Sequence, residues 1–192
     1  MRHLLRTLAL PLAGVLLLLT GCASAATGEV GQNYVSGDGT VTEFASGNRG
    51  EPVDFAGVTD ANTEVAAGDY RGEIVVINFW YASCPPCRVE APWLQQLSDE
   101  FESDGVIFLG VNIRDGAETS LAFAQKFGIS YPSIIDTDGA VALAFAGIAS
   151  PTAVPTTVVL DRDGRPSARI VGLLKKSTLE SLIQSALDEA PQ

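Results

Sequence analysis

Histidine is almost absent from this chain of 192 residues, which contains one histidine and three cysteines. The histidine, His3, lies close to the N-terminus in a segment that has the pattern of a leader. A chain without histidine after its leader has no base for a Ser–His–Asp triad or for a Cys–His pair. The scarcity of histidine therefore excludes hydrolases of these two kinds.

Basic side chains are also few, with 12 Lys and Arg against 23 Asp and Glu and a formal net charge of −11. No run of Lys or Arg is present that could neutralise a row of phosphate groups. Because nucleic-acid binding depends on such neutralisation, we expect no nucleic-acid partner. The excess of negative charge favours a soluble protein, and we expect a monomer.

Long apolar runs are lacking except near the N-terminus. Arg2 and Arg6 precede the apolar stretch Leu8 to Leu19, whose twelve residues are short for a membrane span. Positive charge followed by a short apolar stretch predicts an export signal over residues 1–21. The domain that follows is therefore expected to lie outside the cytoplasm.

The end of this leader indicates how the domain is held there. Leu19-Thr20-Gly21-Cys22 resembles the lipobox of bacterial lipoproteins, and the resemblance implies cleavage before Cys22 and a lipid on its sulfur. Such an anchor would hold the domain at the outer face of the cytoplasmic membrane. An uncleaved leader that serves as the anchor is the open alternative, because residues 7–28 carry no charge.

The rest of the chain divides into a polar segment and one folded domain. Residues 22–51 are small and polar without hydrophobic periodicity, which predicts a flexible tether. Over residues 52–190 strand and helix patterns alternate, which predicts an α/β domain. The run Ile74 to Trp80 is apolar on both faces, as expected of a central buried strand, and a helix is predicted from about Pro85 to Glu102. The other predicted strands cover residues 53–58, 63–65, 106–111, 131–135, 156–160 and 167–171, and the other predicted helices contain residues 121–127, 141–145 and 177–187.

The motif Cys84-Pro85-Pro86-Cys87 directly follows the predicted central strand. Two thiols three residues apart can close a disulfide, and Cys-x-x-Cys after a strand indicates a thioredoxin-like redox site. At a helix N-terminus, free backbone N–H groups and the helix dipole stabilise a thiolate and lower its pKa. We therefore expect Cys84 to be an exposed attacking thiol and Cys87, one turn later, to be the resolving thiol.

Glu90 follows Cys87 by three residues and so lies beside it on the predicted helix. A carboxylate in this position can accept or return a proton during exchange, and its charge would raise the pKa of a neighbouring thiol. The spacing is equally compatible with an ordinary glutamate that faces solvent.

Residues 75–92 resemble the active-site segment of TlpA/ResA-type thioredoxin-like proteins, which are extracytoplasmic thiol–disulfide oxidoreductases of the redoxin/AhpC-TSA superfamily. The resemblance covers roughly residues 52–187 and includes Tyr70-Arg71-Gly72 and the segment from Val154 to Gly164. It implies a thioredoxin fold, with a central mixed β-sheet flanked by helices, short N-terminal strands and a central insertion. It also implies a redox-active Cys84–Cys87 disulfide with no other cofactor and no metal.

The same resemblance implies roles for further residues. Glu90 stands where the family has a glutamate that tunes the site, and Pro92 matches a proline that kinks the active-site helix. Pro155 matches a cis-proline that faces the disulfide and leaves the backbone of Val154 available to an extended substrate. The remaining residues expected to bind substrate are Trp80, Pro85 and Pro86.

Two places depart from the family pattern. Ser83 precedes the first cysteine, where the family usually has tryptophan, and this puts the shape of the surface around Cys84 in doubt. Residues 147–153 form a longer or more irregular segment than expected before the cis-proline. Neither departure removes the dithiol.

The resemblance implies a membrane-anchored enzyme that exchanges its disulfide with protein thiols, such as those of apocytochrome c. We expect it to act as a reductant that is itself reduced by a membrane thiol donor. Because the sequence does not fix the reduction potential, an oxidant that forms disulfides in exported proteins is the closest alternative.

Three other interpretations of the cysteine pair are weaker. Two thiolates can bind Cu(I), but copper carriers of this fold add a distant histidine, and the chain has none there. Peroxiredoxins share the fold but have threonine three residues before the reactive cysteine, where Tyr81 stands here. A structural disulfide is common in exported proteins, yet a loop this short constrains the unfolded chain little.

Overall fold

The computed structural model describes residues 34–35, 40–150 and 153–189. The predicted export signal, Cys22 and the first part of the predicted tether lie outside the described residues. Within the described part of the chain, none of the helices has the length and apolar character that a bilayer span requires.

Nine strands and four α-helices are present in the described residues. The strands are β1 (Tyr34–Val35), β2 (Val41–Glu43), β3 (Ala56–Val58), β4 (Glu64–Ala66), β5 (Ile74–Trp80), β6 (Val106–Asn112), β7 (Ser133–Ile135), β8 (Thr156–Leu160) and β9 (Pro166–Val171). The helices are α1 (Pro85–Phe101), α2 (Ala117–Phe127), α3 (Ala140–Ala144) and α4 (Lys176–Asp188). Short 3-10 turns lie at Ser46–Asn48, Ala67–Tyr70 and Glu102–Asp104.

Seven of the strands form one mixed sheet in the order β1-β2-β9-β8-β5-β6-β7, and β3 pairs with β4 in a small second sheet. The central strand β5 runs parallel to β6 and antiparallel to β8. The carboxyl ends of β5 and β6 therefore meet the start of β8 at one edge of the sheet. The predicted central mixed sheet flanked by helices is confirmed.

Strand β5 is buried along its whole length because both faces of the sheet are covered. Alternate side chains of a strand point to opposite faces. On one face Val75, Ile77 and Phe79 join a cluster with Phe55 and Phe145. On the other face, the side chains of β5 contact apolar residues of α1 and α4, namely Ile74 and Val76 with Leu94, Leu97, Leu179 and Ile183. This burial on both sides fixes the end of β5, where the cysteine motif begins.

Some element boundaries differ from the predicted ones. The strand predicted from residue 53 begins at Ala56, although Val53 and Phe55 are both buried. Their apolar character reflects core packing rather than strand pairing. The last helix and the strand β8 lie where the periodicity placed them, within one residue at either end.

The predicted flexible tether is wrong for residues 41–51, because part of this segment is a strand of the main sheet. Val41 pairs with Ile170 and Glu43 with Ala168 of β9. The next amide, that of Phe44, donates to the carbonyl of Ser167 at 2.8 Å. Backbone pairing places no demand on side-chain hydrophobicity, so composition alone does not reveal it.

Arg49 binds the same segment to the end of the sheet that lies away from the cysteine motif. Its guanidinium lies 2.8 Å from Asp161 Oδ2 and 2.6 Å from Glu189 Oε1, and its side chain is only 3% exposed. Asp161 follows β8 and Glu189 follows α4. The folded domain therefore begins before residue 52 rather than at it.

Candidate active site

Cys84 is the N-cap of α1, the position from which the helix begins. Its backbone is extended, and its Sγ accepts a hydrogen bond from the backbone N–H of Cys87 at 3.2 Å. Pro85 and Pro86 occupy the first two helical positions, where a missing N–H costs no intrahelical bond. The predicted start of the helix at the cysteine motif is thus confirmed.

Cys84 and Cys87 form a disulfide, with their Cα atoms 5.3 Å apart. The expectation that Cys84 is exposed is wrong for this oxidised state, because Cys84 is 1% exposed and Cys87 2%. Both cysteines belong to an apolar cluster with Trp80, Ala91 and Phe123. A partner thiol must therefore reach the disulfide past the rim of this cluster.

The Val154–Pro155 peptide bond is cis, as the resemblance implied. Val154 is half-buried and packs against the cluster that contains the disulfide. The carbonyl of Pro155 accepts a hydrogen bond from the backbone N–H of Gly172 at 2.8 Å. Among the described residues no hydrogen bond joins the N–H or C=O of Val154, so both groups are available to a partner.

The three other residues expected to bind substrate differ in how exposed they are. Pro85 is exposed and Pro86 half-buried, so both border the accessible surface. Trp80 does not, because it is 6% exposed; its ring lies 4.4 Å from that of Phe123. The expectation that Trp80 forms part of the substrate surface is therefore wrong: as the last residue of a buried strand, it points beneath the disulfide.

Glu90 is fully buried, which excludes the solvent-facing alternative. Its Oε1 accepts a hydrogen bond from Asn78 Nδ2 at 2.9 Å, and its Oε2 accepts one from the backbone N–H of Leu174 at 3.3 Å. Both donors are neutral, and no cation pairs with the carboxylate among the described residues. Asn78 also reaches Thr157 Oγ1 at 3.1 Å, which fixes its amide.

Burial raises the pKa of Glu90 to about 7, although the hydrogen bonds from Asn78 and Leu174 oppose the rise. At neutral pH this carboxyl group therefore exchanges a proton readily. A group with a pKa near the ambient pH is well suited to general acid–base work.

A small pocket of about 10 Å³ lies beside the second cysteine and reaches Asn78, whose amide donates to Glu90. Its lining includes Cys87, Asn78, Trp80 and Tyr131. The volume is close to that of one water molecule. Burial raises the pKa of Tyr131, and the charge of Glu90 adds a smaller rise. The tyrosine hydroxyl therefore keeps its proton. Sequence reasoning missed Asn78, Tyr131 and the amide of Leu174, because their relation to Glu90 exists only in the folded chain.

Asp115 holds the loop that leads into the cysteine motif. Its Oδ2 accepts hydrogen bonds from the backbone N–H of Ala82 at 2.6 Å and from Asn112 Nδ2 at 3.1 Å. The Asn112 side chain in turn accepts from the backbone N–H groups of Arg114 and Asp115. Sequence reasoning missed this support, although a polar cluster directly after a buried strand was a usable signal.

The described residues contain no group of three or more His, Cys, Asp or Glu side chains that could hold a metal ion. The site brings together the disulfide, the buried carboxyl group of Glu90 and the backbone N–H and C=O of Val154, which have no hydrogen-bond partner among the described residues. This combination can support thiol–disulfide exchange.

Comparisons with known proteins agree with this chemistry. The AhpC/TSA family model matches residues 50–165. The thiol-disulfide oxidoreductase ResA of Geobacillus thermodenitrificans is 32% identical over 117 residues, which are 61% of this chain and 65% of that protein. ResA of Bacillus subtilis is 29% identical over 115 residues, 60% of this chain and 62% of that protein. The chain thus spans slightly less than two thirds of the length of these curated relatives.

Solved structures give a closer match in extent. A DsbF homologue from Corynebacterium diphtheriae superimposes with a TM-score of 0.72 at 32% identity, covering 80% of this chain and 98% of that one. A secreted thiol-disulfide isomerase from Corynebacterium glutamicum gives 0.74 at 27% identity, covering 82% and 98%. A thioredoxin-family thiol:disulfide interchange protein from Chlorobium tepidum gives 0.66 at 28% identity, covering 73% and 97%. The predicted thioredoxin fold is confirmed.

Proposed function

Because the chain belongs to the AhpC/TSA family, we propose that it is a thiol–disulfide oxidoreductase that exchanges its Cys84–Cys87 disulfide with protein thiols. The observation that carries the proposal is the disulfide at the N-terminus of α1, in contact with Val154 of the cis peptide bond and one helical turn from a buried carboxyl group. A disulfide that served stability alone would need neither neighbour.

In the reducing direction the exchange has two steps. The Cys84 thiolate attacks one sulfur of a substrate disulfide, whose S–S bond breaks; a mixed disulfide forms on Cys84, and the released thiolate takes up a proton. Cys87 then loses its proton and attacks Cys84 Sγ, which closes the Cys84–Cys87 bond and releases the second substrate thiol. Two electrons pass to the substrate, and an external dithiol must return two electrons before the next cycle.

Glu90 is the proposed acceptor of the Cys87 proton in the second step. It lies three residues after Cys87 on the same helix, and its pKa of about 7 allows it to bind and release a proton at neutral pH. The pocket lined by Cys87 and Asn78 has a volume close to the minimum that one water needs, and Asn78 in turn donates a hydrogen bond to Glu90.

Val154 is the proposed docking point for the substrate backbone. Its peptide N–H and C=O have no partner among the described residues, and its side chain contacts the disulfide cluster. An extended substrate segment can therefore form backbone hydrogen bonds there while its sulfur approaches Cys84. Pro85 and Pro86 would border that segment.

We infer the reducing direction, with protein disulfides such as those of apocytochrome c as substrates and a membrane thiol donor upstream. The support is the resemblance of residues 75–92 to ResA-type proteins. The oxidising direction, in which the protein forms disulfides in exported proteins, is the second candidate, because the sequence does not fix the reduction potential. The reduction potential in a glutathione buffer separates them: a value near about −270 mV supports a reductant, and one near about −120 mV supports an oxidant.

A lipid on Cys22 is the proposed anchor at the outer face of the membrane. The support is the leader, the lipobox resemblance and the secreted relative from Corynebacterium glutamicum. Detergent, but not high salt, should release the protein from membranes, and Cys22→Ala should abolish lipid labelling. Release of the unaltered protein by high salt would contradict the anchor.

Trapping tests the central proposal directly. Cys87→Ser removes the resolving thiol, so mixed disulfides with partner proteins should accumulate on Cys84 and appear on non-reducing gels. Cys84→Ser is the matched control and should trap none, because the attacking sulfur is gone. Equal trapping by the two variants would overturn the assigned roles, and trapping by neither would overturn the proposed activity.

A further inference from the structure

Three cationic side chains lie over two aromatic rings that pack against the disulfide cluster, and we propose that they form a docking surface for an acidic polypeptide segment beside the substrate cysteine. They are Arg88, Arg114 and Lys126, here named the cationic rim. This inference rests on the proposed function and adds the chemical class of the substrate to it.

Each member of the cationic rim lies over an aromatic ring. The Arg114 guanidinium is 3.9 Å from the centroid of Tyr81, and Arg88 and Lys126 each lie 5.7 Å from the centroid of Phe127. Contacts of this kind hold a cation in place without neutralising its charge.

The two rings connect the cationic rim to the reactive sulfurs. Tyr81 and Phe127 both pack against the cluster that contains Cys84 and Cys87. Phe127 does so through Phe123, whose ring centroid is 4.4 Å away. A partner that reaches the disulfide therefore enters the field of the three cations.

The charges of the cationic rim are available to a partner. All three side chains are exposed, and none forms an ion pair with a described residue. Two acidic residues lie near Arg114 along the chain: Asp115 accepts hydrogen bonds from the Ala82 amide and Asn112, and Glu118 is exposed in the first turn of α2. Three cations therefore stand against two carboxylates, which leaves an excess of positive charge.

This local excess of positive charge contrasts with the rest of the chain, whose formal net charge is −11. An acidic substrate would be repelled by the net charge of the chain and attracted at the cationic rim. Such complementarity mainly raises the association rate and selects the orientation of the encounter. Ser83, which replaces the family's tryptophan, leaves the Tyr81–Arg114 pair next to Cys84 without a bulky neighbour at that position.

The test uses three disulfide-containing peptides of equal length that carry glutamate, glutamine or lysine on both sides of the cysteine. The rate constant for their reduction by the reduced protein is followed through tryptophan fluorescence, since Trp80 lies beside the disulfide. At low ionic strength we expect the glutamate peptide to react on the order of tenfold faster than the lysine peptide. High salt should bring this ratio close to one because it screens exposed charges.

Charge reversal then locates the effect. In the double variant Arg114→Glu, Lys126→Glu the preference for the glutamate peptide should disappear or invert. Arg165→Glu is the matched control, since this half-buried arginine lies in the turn after β8 at the opposite end of the sheet, and it should retain the preference. Arg88 stays unchanged because it adjoins Cys87 and would alter the thiol pKa.

The outcomes are separable. Equal rates for the three peptides, or a preference that survives in the double variant, would overturn the cationic rim but leave the exchange activity standing. If the unaltered protein reduces none of the peptides, the proposed function fails and the inference fails with it. If the double variant does not fold, Arg114→Gln with Lys126→Gln replaces it, and the ratio should again fall toward one.

Discussion

Two buried ionisable side chains, Arg49 and Glu90, lie near opposite ends of the strands of the central sheet. Their surroundings differ. At the end away from the disulfide, the Arg49 guanidinium contacts the carboxylates of Asp161 and Glu189. Near the disulfide, the Glu90 carboxyl group contacts only the neutral donors of Asn78 and Leu174. The first group is a cation paired with two carboxylates, and the second is a carboxyl group without a cation, which can gain or lose a proton near neutrality.

The comparison shows that a buried ionisable group can serve stability in one place and proton transfer in another. A buried charge with opposite charges around it costs most when one partner is removed. A buried carboxyl group without a cation relieves its desolvation by binding a proton, so its pKa rises. We therefore expect substitutions at Arg49 to change stability and substitutions around Glu90 to change proton chemistry.

The largest expected effect is on stability at Arg49. Arg49→Met removes the charge and leaves Asp161 without its cation, so the free energy of unfolding should fall by about 3 kcal/mol. Urea unfolding of the oxidised protein measures this, and the reduction potential should not change. As a control, Arg165→Met removes a side chain that is 31% exposed, lies 4.0 Å from Glu51 and donates one exposed hydrogen bond to the Gly50 carbonyl; it should cost about 1 kcal/mol or less. Similar losses of unfolding free energy in the two variants would show that the ion pairs of Arg49 stabilise the fold no more than a surface pair does.

The second expected effect is a loss of stability with rising pH that depends on Glu90. Its pKa of about 7 lies above the ordinary value of 4.5, so the folded state binds this proton more tightly than the unfolded state. The stabilisation is fully present below about pH 4.5 and is lost as the pH rises through about 7. The difference in unfolding free energy amounts to at most about 3 kcal/mol.

Glu90→Gln keeps the shape but cannot ionise, so its unfolding free energy should vary less between about pH 5 and pH 8 than that of the unaltered protein. Glu100→Gln is a suitable control, because Glu100 lies on the same helix with its side chain 45% exposed. A pH dependence that is identical in the unaltered protein and in Glu90→Gln would contradict the raised pKa.

A smaller effect is expected on the pKa of the thiols in the reduced protein. The negative charge of Glu90 disfavours a thiolate one turn away, so Glu90→Gln should move the pH profile of alkylation to lower pH, by about one unit. Rates of reaction with iodoacetamide over a pH series measure the profile. Glu100→Gln should leave the profile in place, and a profile unmoved by Glu90→Gln would remove Glu90 from the proton chemistry.

The sequence predicted those parts of both regions that depend on local rules. Burial of β5 followed from its apolar run, and the start of α1 followed from a cysteine N-cap and two prolines. The position of Glu90 beside Cys87 followed from helical spacing. These features need only neighbours within a few residues, and such neighbours are visible in the chain itself.

What the sequence could not supply depends on partners far along the chain. Arg49 is separated from Asp161 by 112 positions and from Glu189 by 140, so these contacts exist only in the folded chain. The burial of Glu90 likewise depends on the loop before α4, and the burial of Cys84 depends on rings from α2. Backbone pairing of residues 41–43 left no pattern in their side chains, and the segment was therefore mistaken for tether.

The smallest expected effect concerns Asn78, which distinguishes hydrogen bonding from burial as the control of Glu90. The hydrogen bond from Asn78 favours the ionised carboxylate and lowers the Glu90 pKa against the larger effect of burial. Asn78→Ala should therefore raise that pKa further, by less than about one unit. The midpoint of the Glu90 titration, followed by NMR of the side-chain carboxyl carbon, gives the value. Thr157→Val removes the second contact of Asn78 but retains its bond to Glu90, so the midpoint should move less. If Asn78→Ala lowered the pKa, solvent entry rather than hydrogen bonding would govern the buried carboxyl group.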